Sequence, residues 1–84
     1  MGKKHQIVLV KWEDSANWRG WRNKEQLKDI KPTICYSSGI LIKRTKQCIA
    51  VSHSVGDGDT GDTMVIPRKC VKDIKIISTF EEKV

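Results

Sequence analysis

The sequence predicts an all-β fold, a small five-stranded barrel, on three observations. Five runs of β-branched and other apolar residues are of strand length and are separated by polar or glycine-rich connections. Gly39 stands at the midpoint of the longest run, where a strand that bends to serve two sheets favours a residue without a side chain. The run ending at Ile66 stops at Pro67, which fixes φ and cannot donate a ladder hydrogen bond, so residues 67–70 read as a 3₁₀ turn before the last strand.

Residues 6–12, Gln-Ile-Val-Leu-Val-Lys-Trp, form the first predicted strand. Their nearly continuous apolar character points to burial on both sides or to an oligomer contact. Residues 15–32 are an excursion from the sheet. Asn23 supplies an N-cap with Gln26 three residues on, a helix of one or two turns over residues 24–28 follows, and Lys31-Pro32 stops it. Residues 33–43 form the second strand, bent at Gly39, and a short polar connection through residues 44–47 leads to the third strand at residues 48–54. Val55-Gly56-Asp57-Gly58-Asp59-Thr60-Gly61-Asp62 reads as a long polar hairpin loop, with residues 63–66 as the fourth strand. Residues 71–77 form the fifth, closing against the first, while residues 1–5 and 79–84 read as mobile ends. Five short strands, the bent second one, the short helix between strands one and two and the 3₁₀ turn describe an SH3-like barrel. The 84 residues make one domain, of a size that oligomerisation would support.

Sixteen Lys and Arg against ten Asp and Glu give a net charge of +6. Three of the acids are crowded into the glycine-rich loop, so the remaining surface is strongly basic and attracts nucleic acid, nucleotides, anionic lipid or an acidic protein. Several chemistries are set aside. Cys35, Cys48 and Cys70 are far apart, with no C-x-x-C and no histidine at finger spacing, which indicates neither a zinc site nor a disulfide framework; they read as small buried hydrophobes in a reducing cytosol. The glycines do not match a phosphate loop. Asp57, Asp59 and Asp62 begin like a calcium loop, but the twelfth position, where an EF-hand needs Glu, is Arg68. No metal or cofactor is therefore expected. No run approaches the ~18 apolar residues of a membrane span, and no signal peptide is visible, so the expected location is cytoplasmic. Catalytic groups are few: His5 lies near the start, and Ser52-His53-Ser54 alternates faces along a strand, which separates nucleophile from base. Cys35 or Cys48 served by His53 across strands competes with an ordinary sheet histidine, and an enzyme is not expected.

The candidate ligand-binding residues are basic and aromatic. Trp18-Arg19-Gly20-Trp21-Arg22 combines indole faces that stack on bases with guanidinium groups that clamp phosphate. The opposing reading is that these tryptophans cover an open end of the barrel, as Trp12 belongs to the core. Arg68 and Lys69 follow Pro67 in a turn whose amides can join them in holding an anion, with Lys43 and Arg44 in a connection facing the same side. His53 adds a hydrogen bond.

Val10-Lys11-Trp12-Glu13-Asp14, Ser38-Gly39-Ile40-Leu41-Ile42, Ile49-Ala50-Val51-Ser52 and Ile66-Pro67-Arg68 followed by Val71 and Ile74 together resemble small uncharacterised bacteriophage and prophage accessory proteins, over most of the chain. The resemblance implies a phage accessory protein in an infected bacterial host. With the charge and the aromatic interleaving, the expectation is a non-enzymatic, homo-oligomeric binder that sequesters a nucleotide or nucleotide-derived host-defence signal. The alternatives are a single-stranded nucleic-acid-binding protein and a protein inhibitor of a host enzyme.

Overall fold

The computed structural model describes residues 2–14, 24–27 and 31–83. Within them, β1 (Lys3–Asp14), β2 (Thr33–Arg44), β3 (Cys48–Gly56), β4 (Asp59–Pro67) and β5 (Val71–Glu82) form one antiparallel sheet in the order β4-β3-β2-β1-β5. A 3₁₀ turn, Arg68–Cys70, carries the chain from β4 into β5. None of the described helices is long and apolar enough to cross a membrane.

β2 changes partner at its centre. From Thr33↔Asp14 to Ile40↔Ile7 it pairs with β1, and from Ile40↔Ser52 to Arg44↔Ile49 it pairs with β3. Gly39 sits at the changeover, where a Cβ would lie 2.8 Å from the Ser52 carbonyl oxygen. Glycine is required there because the backbone of β3 comes too close for any side chain.

The bend lets two parts of the sheet share a core. Val8, Val10, Ile49, Val51 and Ile66 form the buried cluster, with Trp12, Leu41, Cys70, Val71 and Ile74 packed around it. The near-continuous apolar run of β1 resolves into alternation, since Val8 and Val10 are fully buried while Ile7, Leu9 and Lys11 between them are half-buried. Fully burying each such aliphatic side chain is worth about 1.5–3 kcal/mol. Trp12 joins the core half-buried, its Nε1 donating to Ser37 Oγ at 3.0 Å. β3 is the most enclosed strand, with Ala50 and Ser52 buried as well as Ile49 and Val51. The three cysteines are free thiols and half-buried.

Three expectations need correction. The barrel does not close: β4 and β5 are the two edges of an open sheet. β5 pairs with β1, as expected, from Trp12↔Val71 to Lys3↔Glu82, but β4 and β5 are not paired in the described sheet. β5 absorbs the twist with two extra residues, Lys72 and Ile77, at register shifts. Residues 3–5 and 79–82, read from sequence as parts of mobile ends, lie in this ladder, where His5 Nε2 and Glu82 Oε1 approach to 2.9 Å and the His5 ring packs on Phe80. Second, the helix expected over residues 24–28 is described only as the single turn Lys24–Leu27, and its neighbours 15–23 and 28–30 lie outside the described residues. Third, the long loop of residues 55–62 is mostly ladder. The β3–β4 pairing runs out to Gly56↔Asp59, leaving a two-residue turn in which Asp57 and Gly58 have φ of 51° and 82°. Two successive positive φ values mark the tight hairpin turn whose twist matches its strands, and Asp-Gly is a preferred pair for it.

Candidate functional site

The base of the β3–β4 hairpin and its turn lie at opposite ends of the same ladder, eight residues apart, or roughly 26 Å of strand. Acid gathers at the turn, in Asp57 and Asp59, and base gathers at the other end.

That basic end is built from the β2–β3 connection and the corner after Pro67. Thr45 organises the connection: its Oγ1 accepts from the backbone amides of Gln47 and Cys48, each at 3.1 Å, while its own amide donates to the Cys48 carbonyl at 2.9 Å. Ser and Thr hydroxyls favour turns through such short-range bonds. The amide of Arg68 donates to the Gln47 carbonyl at 2.9 Å, which ties the 3₁₀ turn to the connection. Between them lies an open recess of about 640 Å³ lined by Arg44, Thr45, Lys46 and Arg68. Three of the four are cations, and none is an acid. Guanidinium and ammonium groups beside a fixed turn suit an oxyanion, while the Thr45 hydroxyl spends its own hydrogen on the Cys48 carbonyl at 3.3 Å and serves to hold the turn.

The predicted residues divide accordingly. Arg44 and Arg68 are brought together. Lys69 is exposed in the same turn but is not part of the lining. Lys43, expected beside Arg44, faces the other way: it pairs with Ala50, one register position from Arg44↔Ile49, and successive strand residues alternate faces. His53 does not join the corner. It lines a separate recess of about 210 Å³ with Ser38, Met64 and Asp62, beyond the far end of the core. Trp18, Arg19, Trp21 and Arg22 lie outside the described residues, as does the question whether those tryptophans cover an end of the sheet.

Sequence reasoning passed over Thr45 and Lys46, having read residues 44–47 as a plain connection. The signal was the short Thr-Lys-Gln spacing before Cys48, which fits a side-chain-capped turn. Among the described residues, no three of His, Cys, Asp and Glu are grouped to hold a metal ion. The tip of the acidic hairpin is not isolated, because Asp59 shares a recess of about 360 Å³ with Lys3, Lys4, His5 and Glu82 of the terminal ladder. No protein-family model, curated protein or solved structure matches the chain.

Proposed function

We propose that this chain is a non-enzymatic binding module for an anionic ligand, a nucleotide or nucleotide-derived host-defence signal, whose phosphates are held at the corner made by Arg44, Lys46 and Arg68. The observation that carries the reading is the convergence of these three cations and the Thr45 turn on one recess, with no acid among the described residues that line it. The excess of Lys and Arg over Asp and Glu supports it by drawing anions to the surface. The phage resemblance motivates the choice of a defence signal. Lys69 adds charge from the rim of the same turn, and the Trp18-Arg19 and Trp21-Arg22 pairs supply base stacking in this reading. His53 is not assigned to the phosphate site, since it belongs to the other recess.

The recess is open, so each cation acts through high-dielectric surroundings. One charge pair at 4 Å is worth about 1 kcal/mol in bulk water. Three such contacts favour multiply charged phosphates over a single monoanion and lose strength as salt screens them. Calorimetric titration with mono-, di- and triphosphate, cyclic and oligonucleotides tests this at moderate salt. Saturable binding that does not grow with oligonucleotide length, and that weakens in both Arg44→Ala and Arg68→Ala, is the expected result. Affinity that climbs with strand length would favour single-stranded nucleic acid instead. Absence of any binding would end the proposal.

A further inference from the structure

The inner face of the sheet continues past the core into the second recess. Val51 and Met64 are directly paired, and the alternation places His53 and Asp62 on the same face one step further out. β2 has left β3 by this point, since their pairing begins only at Ile40↔Ser52. Ser37 and Ser38 therefore stand across a gap from His53 and Asp62, and the gap is the recess of about 210 Å³. The buried side chains of Ile49 and Ile66 lie toward the corner end of the same ladder, so the two recesses are separate sites.

Its chemistry differs from that of the corner. Among the described residues no Lys or Arg lines it, and the one formal charge is the Asp62 carboxylate. Val51 and the half-exposed Met64 supply an apolar surface. Ser37 Oγ already accepts from Trp12, which leaves its own hydrogen for a ligand. Ser52 has no such freedom: its hydroxyl, 2% exposed, is committed to the carbonyls of Gly61 and Ser54 and only shapes the wall. The backbone at Asp62 is unusual. Its φ is 30°, within a strand, at the point where the ladder lacks a pair between Ser52↔Thr63 and Ser54↔Gly61.

We propose that this recess binds a neutral ring bearing vicinal hydroxyls, either a free monosaccharide or the ribose of a nucleoside. A carboxylate accepts both donors of a vicinal diol, the chemistry by which an acidic residue grips ribose in dinucleotide-binding folds. The ring face rests on Val51 and Met64, Asp62 takes the diol, and Ser37 and His53 meet the remaining polar groups, while Ser38, the next residue along β2, lines the rim. The volume falls below the ~300–1,000 Å³ of pockets for drug-sized ligands, which limits the occupant to about one ring system. The carboxylate disfavours phosphate, so this site does not depend on the anion-binding reading of the corner.

The test is an amide-resolved NMR titration of the full chain with adenosine, 2′,3′-dideoxyadenosine, methyl β-ribofuranoside and methyl glucoside. Support requires saturable shifts at Ser37, Ser38, His53 and Asp62 with at least one diol-bearing probe, and binding roughly tenfold or more weaker for the dideoxy compound when adenosine is that probe. Comparison of adenosine with the two glycosides then tells nucleoside from sugar. Asp62→Asn keeps the side-chain shape and tolerates the left-handed backbone, so its spectrum should overlay the wild type while the same probe binds roughly tenfold or more weakly. Absence of shifts with every diol-bearing probe overturns the proposal. So does equal binding of adenosine and the dideoxy compound, equal binding by Asp62→Asn, or shifts confined to the Arg44 and Arg68 end.

Discussion

The same substitution made at two glycines should move stability in opposite directions. At Gly39 a Cβ would stand 2.8 Å from the Ser52 carbonyl oxygen, about 0.6 Å inside ordinary contact, and the obstacle is backbone in the most buried strand of the sheet. It cannot swing away as a flexible side chain would. Overpacking of this kind costs about 1–3 kcal/mol, against which Ala returns only about 0.4–1 kcal/mol by restricting the unfolded chain. A net loss of up to about 2.6 kcal/mol remains, and about 1–2 kcal/mol around the middle of these ranges. For a domain of this length each kcal/mol shifts Tm by about 4–8 °C, so Gly39→Ala should melt roughly 5–15 °C below the wild type. At Gly56 nothing lies within 4 Å of the added Cβ, and its φ is not among the positive ones, so Gly56→Ala should be neutral or gain about 0.4–1 kcal/mol. Urea denaturation followed by tryptophan fluorescence, with unchanged m-values, reads both differences. If Gly39→Ala were as stable as the wild type, the reasoning that β2 turns from β1 to β3 through a backbone contact at this residue would be refuted.

Other outcomes follow from the same geometry. Ile49→Ala, which empties the centre of the shared core, should cost about 2–5 kcal/mol and leave the protein largely unfolded at its former midpoint of denaturation. Asp57→Ala places a β-carbon residue without a local acceptor at φ 51° and should lose roughly 1 kcal/mol, whereas Asp57→Gly should lose nothing; thermal melts of the pair decide this. Ser52→Ala removes the buried donor to the Gly61 and Ser54 carbonyls and should cost about 1–3 kcal/mol by denaturant titration. Lys72→Ala breaks only an exposed 3.2 Å pair with Glu13, and its midpoint should stay within about 1 kcal/mol of the wild type.

Much of the fold was legible because its local signals agree with its tertiary arrangement. The β-branched runs mark all five strands, Pro67 marks the 3₁₀ turn, and Gly39 marks the bend. The acidic loop misled because glycine and aspartate read equally well as a long connection or as a hairpin with a two-residue turn. Only pairing across the hairpin, as in Ser54↔Gly61 and Val55↔Thr60, tells them apart. The site was less legible for a different reason. Arg44 and Arg68 are distant in sequence, and nothing local shows that the Arg68 amide is bonded to Gln47 or that Lys43 faces away. His53, expected to add a hydrogen bond to the same ligand, sits on β3 toward the opposite end of the core.

The sequence by itself determined an all-β chain with a bent second strand, a proline-stopped corner and segregated acid and base, because each of these depends on local backbone preference or composition. Tertiary structure alone decided that the sheet stays open, since closure depends on whether β5 continues along β1 to Glu82 or crosses to β4. Which charges and hydroxyls share a recess followed from the same choice of partners: strand register sets what lies opposite each residue, and a shift of one residue turns every side chain to the other face.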